Sequence, residues 1–115
     1  MPIKRDRQTP HEHIIDGEGM IYQSSLTPGT SIHGLDADDI IGTLAGEYID
    51  APDVLHYLKA VDHALTTGKA HCSYHIDGVR LFALMTRISS MRVKVREWVI
   101  NRFDDLVGIL LEEVG

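Results

Sequence analysis

An α+β domain, with an antiparallel sheet and a single long helix, is what this sequence predicts, and three observations predict it. Residues 70–77 alternate strictly between two faces and run into Asp77-Gly78, a pair that favours a two-residue hairpin turn. Residues 54–65 carry apolar side chains at helical spacing. Between residues 34 and 53 the chain strings together caps and turns, which suits short helices and rules against a helical bundle.

Residues 1–15 are polar, include two histidines, and read as a tail or a short docking segment. Asp16-Gly17 is a turn signal, after which Met20–Ser25 reads as a strand. Thr27-Pro28-Gly29 marks another turn and Ser31–His33 a short second strand. Asp36 can cap a single helical turn, with Asp38 and Asp39 facing the positive end of its dipole. Gly42 can end that turn in a left-handed conformation, and a second short turn follows through Leu44, Tyr48 and Ile49. Asp50 then offers a cap to the next helix, with Pro52 in its first turn.

The long helix has Val54, Tyr57, Leu58, Val61, Ala64 and Leu65 along one stripe and ends at Thr66-Thr67-Gly68. In the strand that follows, Ala70, Cys72, Tyr74 and Ile76 share one face, and His71, Ser73, His75 and Asp77 the other. A two-residue turn at Asp77-Gly78 sets Tyr74 opposite Leu81, Cys72 opposite Ala83, His75 opposite Arg80, Ser73 opposite Phe82 and His71 opposite Leu84. The outer face then gathers Phe82, Leu84 and Ile88, too apolar to face water together, so the N-terminal segment, the C-terminal helix or a second subunit must cover it. Val93–Phe103 reads as a further strand whose alternation slips around Arg96-Glu97. Asp104 or Asp105 caps a C-terminal amphipathic helix with Phe103, Leu106, Leu110 and Val114 along one side.

Composition narrows the function classes. A chain of 115 residues predicts one domain, and a 43% hydrophobic share excludes the signature of disorder. A net charge of −6 argues against nucleic acid, which needs a basic stripe for its phosphates. With one cysteine, Cys72, no internal disulfide can form, and a reducing compartment fits. The longest apolar run, Leu106–Leu111, falls far short of the roughly 20 residues of a membrane span. The N-terminus lacks the apolar stretch of a signal peptide, so a cytoplasmic location is expected.

The order of elements, and five local motifs within it, resembles that of a PAS domain. Asp16-Gly17-Glu-Gly-Met-Ile-Tyr22 is similar to the family's opening strand, Gly34–Gly42 to its short helix, and Tyr48–Asp53 to the entry of its long helix. Ala64–Lys69 is similar to the exit of that helix, and Asp77-Gly78 to the hairpin before the next strand. Each motif alone encodes only caps and turns; the five in order, at matching spacing, carry the resemblance. It covers residues 16–104, leaving 105–115 as a C-terminal helix, and Arg102-Phe103-Asp104-Asp105 departs from the family's usual link to a signalling helix. The resemblance implies a five-stranded antiparallel sheet with its helices on one face. It also implies a sensory or interaction module of a two-component or similar signalling system, coupled to a kinase, cyclase or regulator and acting as a homodimer.

The candidate chemistry is sparse. The resemblance raises haem, which some PAS domains hold through a histidine on the long helix pointing into the cavity; at about 100° per residue, His56 and His63 fall on the polar face and read as solvated. For metal, His71 and His75 stand about 13 Å apart along a strand while Cys72 faces the other way, and no zinc site is expected. Cys72 lacks the sequence setting of a flavin photosensor and reads as core filler. No nucleophile elbow or phosphate loop occurs, and no carboxylate reads as standing on an apolar inner face, so no enzyme is expected. The helix stripe (Tyr57, Leu58, Val61) facing the inner sheet (Cys72, Tyr74, Leu81, Met85) offers a ligand pocket of unspecified cofactor or metabolite, or else a filled core. Phe82, Leu84, Ile88, Leu106 and Leu110 form the expected dimer surface. The sequence leaves two other readings open: a small α+β enzyme with a closed pocket, and a structural dimerisation domain without ligand.

Overall fold

The computed structural model describes residues 10–26 and 35–113. Five antiparallel strands form one sheet in the order β2-β1-β5-β4-β3, from β1 (His11–Ile15), β2 (Ile21–Ser24), β3 (Lys69–Ile76), β4 (Val79–Ser89) and β5 (Arg92–Val99). Between β2 and β3 lie α1 (Ala37–Ile40), a single 3-10 turn over Ala45–Glu47, and α2 (Ala51–Thr67). After β5 comes α3 (Phe103–Glu113). The α+β class and the five-stranded antiparallel sheet agree with expectation.

Local signals act largely where the sequence places them. Asp36 caps α1, accepting from the backbone N–H groups of Asp38 (3.0 Å) and Asp39 (3.3 Å), while Asp39 reaches back to the Asp36 N–H. Gly42 takes φ +88°, a conformation that costs a side-chain-bearing residue energy. The β3–β4 hairpin turns on Asp77 (φ +48°) and Gly78 (φ +77°), as a two-residue turn of this type requires. Its pairs are those expected: Tyr74 with Leu81, Cys72 with Ala83, His75 with Arg80, Ser73 with Phe82, His71 with Leu84.

Asp50 departs from its expected role. It flanks the start of α2, but its carboxylate accepts from the N–H groups of Asp77 (2.8 Å) and Gly78 (3.0 Å) instead of capping the helix. The neighbouring Asp53 accepts from the His75 backbone N–H at 2.8 Å and meets the His75 ring at 2.9 Å. Two acids at the start of α2 thus tie down the hairpin tip, whose free N–H groups need acceptors more than the solvated first turn of a helix does.

The N-terminal expectation is also revised. Residues 11–15, read as part of a tail, form a strand between β2 and β5, so the folded unit extends upstream of residue 16. The strand expected over Ser31–His33 lies outside the described residues.

Two apolar layers sandwich the sheet. On the inner face, α2 presents Tyr57, Ala60, Val61 and Ala64 to Leu81, Met85, Val93 and Val95, all buried. On the outer face, α3 folds back so that Ile109, Leu106 and Leu110 close over Phe82, Leu84, Trp98 and Ile100. The apolar outer face inferred from the hairpin register is therefore covered, within the same chain, by the C-terminal helix. Arg96 holds the last turn of α3 through a two-pronged contact with Glu113, at 2.9 and 3.2 Å. Phe103, expected on the packed side of this helix, is 72% exposed instead, because the helix turns Leu106, Ile109 and Leu110 inward.

Candidate functional site

The alternation of β1 and β5 assembles a polar cluster inside the inner layer. His11, His13 and Ile15 of β1 point inward, as do Val93, Val95 and Glu97 of β5. His11 lies directly across from Glu97, and His13 lies across from Val95, one step along the same face. On the other flank Ala83 of β4 faces Glu97. Its methyl leaves room for the Tyr74 ring to pass from β3 over β4 to the carboxylate.

The result is a buried, multiply bonded acid. Glu97 and His13 are each 7% exposed. His13 Nε2 donates to Glu97 Oε1 at 2.8 Å, and His11 Nδ1 lies 3.9 Å from the same oxygen. The Tyr74 hydroxyl donates to Glu97 Oε2. The Tyr57 ring from α2 meets the Tyr74 ring edge-on, centroids 4.9 Å apart and planes at 85°, which fixes the phenol from behind. The second nitrogen of His13, Nδ1, is buried and has no hydrogen-bond partner among the described residues.

Electrostatics follow from this packing. Burial pushes the Glu97 carboxyl up, but the hydrogen bond and charge of His13, the Tyr74 hydroxyl and His11 outweigh it, and the carboxyl titrates below its ordinary range. Burial and the Glu97 charge raise both Tyr57 and Tyr74 well above the ordinary phenol value. Burial, then Glu97 and Asp53, push the Cys72 thiol up to about 12. At neutral pH the cluster therefore contains a charged carboxylate beside two neutral phenols.

Beside the cluster lies a cavity of about 50 Å³. His11, His13, Tyr74 and Glu97 make its polar end; Ile15, Ile21, Ile40 and Ile49 are among its apolar walls. Tyr48 also lines it, with its hydroxyl held by Thr43 Oγ1 at 2.8 Å.

Of the pocket residues expected from sequence, Tyr57 and Tyr74 line this cavity. Val61, Cys72, Leu81 and Met85 are buried core, and Leu58 packs partly buried against it. Of the expected dimer residues, Phe82 is buried, Leu84, Leu106 and Leu110 pack against it within the chain, and Ile88 is half exposed. His56 and His63 are exposed on α2 and lie outside the cavity. Among the described residues, no three His, Cys, Asp or Glu side chains come together to hold a metal ion.

Sequence reasoning missed His11, His13 and Glu97. An inward carboxylate, the mark of the enzyme alternative, is present after all, but its titration is shifted down and not up. The signal was the regular alternation of Val93, Val95 and Glu97, concealed because Trp98 on the opposite face is also buried.

Comparison with known proteins places the fold. No protein-family model matches the chain, and no curated protein matches it by sequence. Solved structures do match. A domain of an HTR-like protein from Haloarcula marismortui aligns with a TM-score of 0.65 at 15% identity, covering 80% of this chain and 98% of that one. The PAS-B domain of Drosophila melanogaster Cycle, solved with bound ethylene glycol, aligns at 0.63 and 16% identity, covering 78% and 99%. The PAS domain of the Cronobacter turicensis quorum-sensing receptor RpfR, in complex with BDSF, aligns at 0.61 and 12% identity, covering 84% and 98%. The chain has a PAS-like fold. Among the described residues no helix is long and apolar enough to cross a membrane.

Proposed function

We propose that this chain is a non-catalytic sensory module that binds a small molecule in the cavity beside Glu97 and reports occupancy through its sheet and terminal helix. The carrying observation is the juxtaposition of a buried, partly unsatisfied polar cluster with an apolar cavity. Similarity to folds solved with ligands, RpfR with BDSF and with C12:0 and Cycle PAS-B with ethylene glycol, supports the reading. A cavity of about 50 Å³ favours a ligand of few atoms over a long chain, being far below the roughly 300–1,000 Å³ of pockets that take drug-sized ligands.

The reading includes a cytoplasmic location, a homodimer and an output partner such as a kinase, cyclase or regulator. Since α3 covers Phe82 and Leu84, the surface we assign to the dimer shifts to the exposed stripe Phe103, Val107 and Leu111, with Ile88 exposed at the end of β4.

Native mass spectrometry of freshly purified protein, beside its denatured mass, tests the proposal. A dimer carrying extra mass supports it. Bare chains that also show no thermal shift across a metabolite panel overturn the ligand-binding half, since a specific ligand raises stability by mass action. A monomer at micromolar concentration overturns the dimer half.

A further inference from the structure

We infer that the open edge of β3, between Lys69 and Ser73, docks an extended acidic segment of a partner protein, which adds to the sheet as a further strand. The inference stands whether or not the cavity beside Glu97 is occupied.

β3 has a neighbour, β4, on one side only. In an antiparallel ladder alternate residues turn their N–H and C=O groups toward that neighbour, and the residues between turn theirs away. His75 shows which set turns away: its N–H donates to Asp53 at 2.8 Å, and its C=O accepts from the Asp50 N–H at 2.8 Å. Ser73 and His71, on the same alternation, turn the same way, and these groups meet no partner among the described residues. At Lys69 the C=O accepts from the Thr67 hydroxyl at 3.0 Å. The two ends of α2 thus close the edge of β3 at either end and leave its middle unpaired. What is left is a short row of donors and acceptors at the repeat of a strand, which is what an added strand pairs with.

Charge beside this edge decides the occupant. A groove of about 650 Å³ opens beside Lys69 and His71. His56, Lys59 and His63 of α2 line it as well, and all five side chains are exposed. The one acid lining it among the described residues, Glu113, is held by Arg96. Lys59 and Lys69 form no ion pair among the described residues. The groove is therefore cationic in a chain whose net charge is −6. Lysine on an edge strand repels a second copy of the same edge. The same charge attracts a segment rich in carboxylates, whose backbone supplies the matching N–H and C=O groups. A nucleic acid brings negative charge but no backbone donors for the carbonyls of His71 and Ser73.

The test uses the whole wild-type chain and four probes: a capped pentaglutamate peptide, its fully N-methylated counterpart, capped pentalysine, and a short oligothymidylate. Affinity is read by titration, and placement by amide hydrogen exchange. Pentaglutamate should bind saturably, more weakly as salt rises, and slow exchange at His71 and Ser73. Cys72 and Tyr74, whose amides already face β4, should not change. Lys59→Glu with Lys69→Glu should weaken binding at least tenfold; both side chains are exposed, so the melting temperature of this variant should hold. Pentalysine and the N-methylated peptide should not bind. Equal binding of the N-methylated peptide overturns strand addition, because charge alone would then suffice. Tighter binding of oligothymidylate overturns the choice of a protein partner. Binding that survives the double charge reversal, or no binding of pentaglutamate at millimolar concentration, overturns the inference.

Discussion

Ala83 stands directly across from Glu97 on the inner face of the sheet, and the small size of its side chain is what allows the Tyr74 phenol to reach the carboxylate from two strands away. Ala83→Leu should fill that passage and separate the two groups. We expect a loss of about 1–3 kcal/mol in urea unfolding from overpacking. Tyr74→Phe removes the same hydrogen bond, so the double variant should lose measurably less than the sum of the two single losses. Strict additivity would show that the methyl does not gate this contact.

Glu97 should make stability acid-sensitive in a defined window. Its folded-state titration lies below the ordinary value of 4.5. The unfolded chain therefore takes up the proton first. The contribution is full above about pH 4.5, falls as pH drops below that value, and is gone below the folded-state value. Glu97→Gln should cost about 1–3 kcal/mol at pH 7. Asp16 and Asp53 are also shifted down and contribute to both proteins, so the quantity to read is the difference in melting temperature between wild type and Gln variant. That difference should shrink from pH 6 to pH 3; a constant gap would refute the assignment.

The two apolar faces of α3 should respond differently to charge. Leu84→Asp places a carboxylate beneath the helix, so melting temperature should fall by several degrees and Trp98 emission move to the red as α3 lifts. Leu111→Glu alters a side chain that is 70% exposed, so stability should hold within about 0.5 kcal/mol while sedimentation shows a weaker dimer. A dimer unaffected by Leu111→Glu but lost in Leu84→Asp would place the contact beneath α3.

Cys72 should be inert in the folded protein. Its thiol is buried and pushed up to about 12, so at pH 8 it is both protonated and shielded. Alkylation by iodoacetamide should proceed only at the rate of unfolding and become rapid in urea. Fast labelling in native buffer would contradict this placement.

What was legible in the sequence was what neighbours dictate. The Asp77-Gly78 turn fixes a hairpin register through residues a few positions apart, and Asp36 and Gly42 act within a single turn of chain. The PAS-like order of elements was readable for the same reason. The polar cluster was not, because His13 and Glu97 are 84 positions apart and neither signals the other locally. His-Glu-His looked like a solvated tail until β5 supplied a strand for it to pair with. Asp50 looked like a helix cap because the hairpin N–H groups that claim it lie 27 and 28 residues downstream.

β1 has a further consequence. Its inward side chains, His11 and His13, meet Glu97; its outward side chain, Glu12, lies 3.6 Å from Lys94 and 3.8 Å from Arg96, and Arg96 in turn grips Glu113 at the end of α3. A strand cannot move one side without the other. A sub-ångström slide of β1, drawn by a change at His13, would carry Glu12 along with it and alter how Arg96 divides itself between two acids. The strand is thus placed as a rocker between the interior of the domain and the helix on its back.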